Sequence, residues 1–371
     1  MPGGDPAGVL RLFGISLSDV GSQEDILYQE FYGLKENPFR LSPDPSFMCM
    51  IDQHQEALSG LIYSVCTRPG LTVLVGEAGT GKTTLLYTLL EMLEKRGFIT
   101  AMCTNPTLTR QEFYDLVLMK FGVECASLLK SRQLGALEES LRRNRTDGRP
   151  SVLIIDEAQR LSTELLEEVR LLLNLETPRE KLLEIIVAGQ PELSEILQRP
   201  ELRQLKQRVS CICRLKPLTL EDLAEYLHHR VTRAGLPTQS LFAGDGMIEL
   251  ILEYTDGIPR LVNSLCDSAL RTGFALRSTR ITTAILEEAA KDLDLLRMVR
   301  EPLDIPRRAA AATALLETPP APPAPPTPSG NLVSAHAGNG HVVFQARVPL
   351  EAYQTRQKNL GFFSNLMERW K

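Results

Sequence analysis

The feature that most constrains this chain is the run Gly76-Glu77-Ala78-Gly79-Thr80-Gly81-Lys82-Thr83. It fits G-x-x-x-x-G-K-[ST], a loop whose glycines let backbone N–H groups surround phosphates at the N-terminus of a helix. The flanks agree. Leu71-Thr72-Val73-Leu74-Val75 is apolar enough for a buried strand, and Thr83-Thr84-Leu85-Leu86-Tyr87-Thr88-Leu89-Leu90 reads as the helix leaving the loop. Lys82 is long enough to reach the outer phosphates of ATP, and the Thr83 hydroxyl is the oxygen expected to hold Mg2+. Gly76, Glu77, Ala78, Gly79, Thr80, Gly81, Lys82, Thr83 and Thr84 are the expected nucleotide contacts.

A second motif adds chemistry to binding. Ser151-Val152-Leu153-Ile154-Ile155-Asp156-Glu157-Ala158 is an apolar strand with two acids at its end. Open α/β sheets gather their ligand chemistry at the carboxyl ends of strands. Asp156 suits the Mg2+ shell beside Thr83, and Glu157 suits polarising a water for in-line attack on the γ-phosphate. Capping of the next helix is the rival reading of the two acids, and the upstream loop weighs against it. Gln190 closes the strand Ile185-Ile186-Val187-Ala188-Gly189, where it is placed to sense the γ-phosphate. Asn105 ends the strand 98–103 and is placed to restrain Glu157. A proline follows each of these two, so both also read as turn starts.

Arginines matter because hydrolysis builds negative charge on the γ-phosphoryl oxygens. Arg208 precedes the last strand, at a domain edge from which it could reach a neighbouring subunit's nucleotide; Arg203 is its competitor. Arg260, in Gly257-Ile258-Pro259-Arg260, opens a helix and could reach back over the phosphates.

The order of elements predicts an α/β class. Strands are expected at 71–75, 98–103, 151–155, 184–188 and 209–215, with helices between them, among them Thr163–Leu175. From Pro217 the pattern turns helical. Thr219 is an N-cap with Glu221 and Asp222 in the first turn, Gly235 is a stop, and further helices fit 245–255, 258–276 and 282–294. The expected division is a flexible arm over 1–30, a nucleotide-binding α/β domain over 31–215, a helical lid over 216–296 and a Pro-rich linker over 297–350. Residues 351–371 close the chain as a short amphipathic docking helix, with Phe363, Leu366, Met367 and Trp370 on one face. The tail as a whole is expected to be largely disordered, with Thr318–Pro328 an extended spacer.

Bulk properties exclude some classes. With a net charge of −5, no whole-chain basic field points to nucleic acid. The seven cysteines form no C-x-x-C pair and read as buried free thiols of a reducing cytosol, Cys211 and Cys213 sharing one face of a strand. No basic segment with an apolar core opens the chain, and no run reaches the ~18–20 apolar residues that span a bilayer. A cytoplasmic protein, docking at most peripherally at the inner membrane, is expected.

Taken in order, the phosphate loop, the Asp-Glu strand, the polar strand end, the edge arginine and the Gly-x-Pro-Arg helix resemble an AAA+ ATPase over residues 31–295. Longer strings narrow the resemblance. Phe31-Tyr32-Gly33-Leu34-Lys35-Glu36-Asn37-Pro38-Phe39, Ser42-Pro43-Asp44-Pro45, His54-Gln55-Glu56-Ala57-Leu58, Asn174-Leu175-Glu176-Thr177 and the run Lys181 to Leu193 are similar to the general secretion pathway protein A (ExeA-like) ATPases, including members at exosortase and polysaccharide loci. The resemblance implies an AAA+ P-loop core with a five-stranded parallel sheet between helices, a small all-α lid, and the segment Phe39 to Leu58 near the adenine. It also implies a ring or other homo-oligomer in which the edge arginine acts in trans. The family archetype continues into a membrane span and a peptidoglycan-binding domain, whereas a Pro-rich spacer and aromatic tail follow here.

The expected function is ATP binding and hydrolysis coupled to an envelope secretion, pilus or exopolysaccharide-export system, with an assembly partner contacted through the tail. A DNA-associated ATPase of the transposition-regulator type is the alternative, for which the basic run Arg142 to Arg149 is the candidate surface. A nucleotide-gated scaffold with negligible turnover is the third, and the Asp156-Glu157 pair argues against it.

Overall fold

Strands that are apolar along their whole length belong in a parallel sheet covered on both faces. β1 (Leu71–Gly76), β3 (Ser151–Ile155) and β4 (Leu183–Gly189) come close to this, buried from end to end and apolar but for Thr72, Ser151 and Glu184. β2 (Ile99–Cys103) and β5 (Val209–Leu215) form the edges of an all-parallel, five-stranded sheet ordered β2-β3-β4-β1-β5. The computed structural model describes residues 28–67, 70–104, 107–236, 241–242, 244 and 246–297. The arm before residue 28, Asn105, the linker beyond 297 and the expected docking helix lie outside the described residues.

Successive strand residues face opposite ways, and this alternation splits the interior into two cores. Leu74, Val152, Ile154, Ile186 and Ala188 pack on α1 (Asp52–Thr67) and α2 (Lys82–Glu94). Val73, Val75, Leu153, Ile155, Ile185 and Val187 face the other layer. That layer holds α3 (Arg110–Lys120), α4 (Lys130–Thr146) and α5 (Thr163–Leu172), then the short α6 (Glu192–Ile196) and α7 (Arg203–Lys206). All three loop ends that carry expected site residues therefore emerge on the carboxyl edge of one sheet.

The lid follows as α8 (Leu220–Arg233), α9 (Met247–Thr255), α10 (Pro259–Ala275) and α11 (Thr283–Asp292). Thr219 caps α8 as expected: its hydroxyl accepts the Asp222 N–H at 3.2 Å, and the Asp222 carboxylate accepts the Thr219 N–H at 3.1 Å. Helix ends fall at the expected limits or up to three residues inside them, α5 ending at Leu172 rather than Leu175.

The division at residue 215 needs correction. Tyr28, Tyr32, Leu34, Phe39, Phe47, Cys49 and Ile51 share a hydrophobic core with Leu223, Val262, Leu265 and Leu286 of the lid. The Lys35 N–H donates to the Ala234 carbonyl at 2.8 Å, while Tyr28 Oη and Asn37 Nδ2 both donate to Asp267 Oδ1 at 2.9 Å. Residues 28–51 are thus built largely into the lid, while Met48 and Met50 pack against the core of the sheet. Tyr28, Phe31 and Tyr32 share a helical spacing, but Phe39 and Phe47 follow no period, so the surface that covers them is visible only in the tertiary packing.

A candidate nucleotide site

Of the pocket's two walls, the first comes from the sheet. The loop after β1 delivers Lys82 as the first residue of α2, buried, with its Nζ donating to the carbonyls of Gly76 at 2.8 Å and Glu77 at 2.9 Å. Burial pulls the Lys82 ammonium below its ordinary range, and Glu157, Asp156 and Glu77 oppose that shift. Thr83 Oγ1 donates to Asp156 Oδ2 at 2.6 Å, which brings together two residues separated by 73 positions. Both are hard oxygen donors, the set that suits Mg2+.

Glu157 sits at φ 54°, ψ 34°, a left-handed conformation that costs a non-glycine residue about 1–3 kcal/mol. Asp156 Oδ1 accepts the Glu157 N–H at 2.9 Å and holds that turn. Glu157 and Gln190 line the same cavity as Lys82, Thr83 and Thr84. The cavity measures about 600 Å³, a size usual for small-ligand sites.

The second wall is the lid with its N-terminal segment. Arg40 to Asp44, Phe47 to Cys49 and His54 line it, together with Tyr226, Arg230, Arg260 and Asn263. This is where the segment expected near an adenine lies. Arg230 is buried without a carboxylate partner among its hydrogen bonds. Its Nε donates to the Pro38 carbonyl, its Nη1 to Tyr226 Oη at 3.0 Å and its Nη2 to the Arg40 carbonyl at 3.5 Å, with the guanidinium 5.1 Å over the Phe47 ring. Tyr226 Oη in turn donates to Asn263 Oδ1 at 2.8 Å.

Direct contacts join the walls. The Arg260 N–H donates to the Gly79 carbonyl at 3.2 Å, and a Cβ at Gly79 would stand 2.7 Å from Arg260 Cβ. His54 lies 3.0 Å by Nδ1 from the Cys49 carbonyl and also bonds the Thr80 backbone; burial lowers its basicity.

Other expected residues lie elsewhere. Arg208 and Arg203 are exposed and outside this cavity; Arg208 Nη2 donates to Asn174 Oδ1 at 3.4 Å. In the basic run, Arg142, Arg143 and Arg145 meet Glu138, Glu139 and Glu180, so much of its charge is offset. All seven cysteines are free, with Cys211 and Cys213 Sγ 3.8 Å apart; Cys66 is exposed, which corrects the expectation of buried thiols throughout. Among the described residues no helix is long and apolar enough to cross a membrane.

Sequence reasoning missed Gln159, His54 and the Arg230 cluster. Gln159 stands two residues after the second acid, a signal that was available; Arg230 is separated in sequence from all its partners except Tyr226.

Comparison with known proteins bears on this site. Residues 66–197 match a family model described as an AAA domain. Over 272 residues the chain is 37% identical to the general secretion pathway protein A of Aeromonas hydrophila, covering 73% of this chain and 49% of that protein. The chain is an AAA+ protein. It spans about half the length of the relative it matches, and the expected likeness to general secretion pathway protein A is borne out. Solved structures share the AAA+ fold at low identity. Drosophila ORC bound to DNA superposes with TM-score 0.54 at 17% identity, covering 74% of this chain and 66% of that one. Cdc6p from Pyrobaculum aerophilum gives 0.53 at 16%, covering 71% and 70%. The Aeropyrum pernix ORC2 protein in ADPNP-ADP complexes gives 0.50 at 15%, covering 64% and 66%. These similarities establish a nucleotide-binding AAA+ fold, and the DNA-associated reading is not favoured.

Proposed function

We propose that this AAA+ chain hydrolyses ATP and uses the cycle to assemble or operate an envelope secretion, pilus or exopolysaccharide-export system. One observation carries the hydrolytic part: Lys82, Thr83, Glu157 and Gln190 line one cavity with Arg260 of the lid, and Asp156 is bonded to Thr83. The envelope part rests on the 37% identity to general secretion pathway protein A.

In this reading the loop N–H groups from Gly76 to Thr84 and the Lys82 ammonium receive the phosphates, Lys82 exchanging its loop carbonyls for phosphate oxygens. Thr83 and Asp156 would hold Mg2+, which when bound neutralises charge on the β- and γ-phosphates. Glu157 orients a water and accepts its proton as the water oxygen bonds to the γ-phosphorus and the bond to the ADP oxygen breaks. Gln190 senses the γ-phosphate, Asn105 restrains Glu157, and Arg260 closes over the phosphates from the lid. Arg208, far from its own cavity, serves a neighbouring copy's nucleotide in a homo-oligomer. The chain works in the cytoplasm or at the inner-membrane surface, and its tail binds the assembly partner.

Glu157→Gln tests this. Purified, it should bind ATP as the unaltered chain does, while turnover falls at least about a hundredfold. Full turnover would reject Glu157 as the base. In native cells carrying only this variant, the system served should lose output; normal secretion, piliation and polysaccharide export together would reject the coupling.

A further inference from the structure

One side chain at the carboxyl edge of the sheet touches two of the expected site positions. Gln159 lies in the single turn Ala158–Arg160 and is half-buried. Its Nε2 donates to Glu157 Oε2 at 2.8 Å, and its Oε1 accepts the Gln190 backbone N–H at 3.2 Å. Chemistry sets the amide's orientation: an ionised carboxylate only accepts and an N–H only donates, so the reverse orientation loses both bonds. The end of β4 leaves room for this side chain. A Cβ at position 189 would stand 2.6 Å from Gln159 Oε1 and 3.0 Å from Leu193 Cδ2, so a larger residue there would push the Gln159 amide aside.

Glu157 needs such a tie. Its backbone is held in a left-handed turn by Asp156, but that bond leaves the side-chain torsions free. A base must meet its water in a narrow geometry, and small misplacements cost rate. Gln159 supplies a fixed donor to the carboxylate, anchored on the neighbouring strand end through Gln190.

We propose that Gln159 is a positioning residue of the hydrolytic site, holding the Glu157 carboxylate in register with the end of β4. The inference rests on Glu157 being the water-orienting base. Because Gln159 acts through Glu157, its loss should matter only while Glu157 is present.

The experiment uses the full chain, steady-state and single-turnover ATP hydrolysis, and titration with a fluorescent ATP analogue. Gln159→Leu keeps the bulk and removes both hydrogen bonds; kcat should fall about tenfold while KM and analogue affinity stay within about twofold. Gln159→Glu keeps the acceptor for Gln190 but sets a carboxylate against Glu157, and should be at least as slow. On the Glu157→Gln background, Gln159→Leu should add no further loss. Unaltered kcat in Gln159→Leu, or an equal loss on both backgrounds, overturns the proposal. If Gln159→Leu fails to fold, Gln159→Glu decides on the same terms. No turnover in the unaltered chain removes the ATPase reading as well; normal turnover with unaffected variants removes only the role of Gln159.

Discussion

The two walls of the cavity are built in opposite ways. The sheet wall is local: Gly76 to Thr84 is one run, Asp156 and Glu157 another, and each is aimed by the strand that precedes it. The lid wall is assembled from distant pieces, with Arg230 of α8 bonded to Pro38 and Arg40 about two hundred positions earlier. The sheet wall concentrates charge for phosphate chemistry. The lid wall buries a cation among carbonyls and rings, an arrangement that holds shape. On the proposed function, most of the chemistry falls to the sheet wall, while the N-terminal segment joined to the lid gives the other wall its shape.

Three substitutions test that contrast. The largest effect should come from Lys82→Ala, which removes the buried cation of the sheet wall without touching the lid. ATP affinity should fall at least about a hundredfold, while thermal stability changes little; calorimetric titration reads the first and a melting curve the second. Affinity equal to the unaltered chain would break the assignment of the sheet wall to phosphate.

Arg230→Leu should invert the pattern. It removes the donor to the Pro38 carbonyl, takes one of two donors from the Arg40 carbonyl and one of two partners from the Tyr226 hydroxyl, and loses stacking on Phe47, so unfolding should cost about 2–4 kcal/mol less, read by denaturant titration. At temperatures where it remains folded, ATP affinity should drop less than in Lys82→Ala. A variant as stable as the parent would show that residues 28–51 are not locked to the lid.

The smallest effect concerns His54, the stitch between the walls. Burial sets its folded-state pKa below the ordinary 6.5. Above that value both folded and unfolded forms are neutral and the shift contributes nothing; as pH falls through it, the unfolded chain takes a proton that the folded chain refuses. Stability should therefore decline as pH falls below about 6.5, and His54→Asn should flatten that decline in melting curves. His229 is shifted the same way, so part of the slope should survive. An unchanged slope in His54→Asn would place the protonation elsewhere.

Much of the sheet wall was legible because its chemistry is contiguous. Gly76–Thr83 carries its own backbone freedom and cation, and the run Val152 to Glu157 states both the strand and the acids at its end. Thr219 could be read as a cap because its partner, Asp222, is three residues away. Gln159 was adjacent to a recognised motif and still went unread, since its second partner, the Gln190 N–H, arrives from another strand. The membership of residues 28–51 was misread for a related reason. Phe39 and Phe47 have no periodic neighbours, and hydrophobic burial is non-directional, so nothing local names the surface that covers them.

The sequence by itself determined the α/β class, the phosphate loop, the acid pair and the start of the lid, because each depends on residues within a few positions of one another. Only the tertiary structure decided which segment completes the lid, what ties Glu157 to the end of β4, and that Arg208 stands away from its own cavity. Those features depend on which distant surfaces meet, and that is settled by the packing of whole layers rather than by any local run of residues.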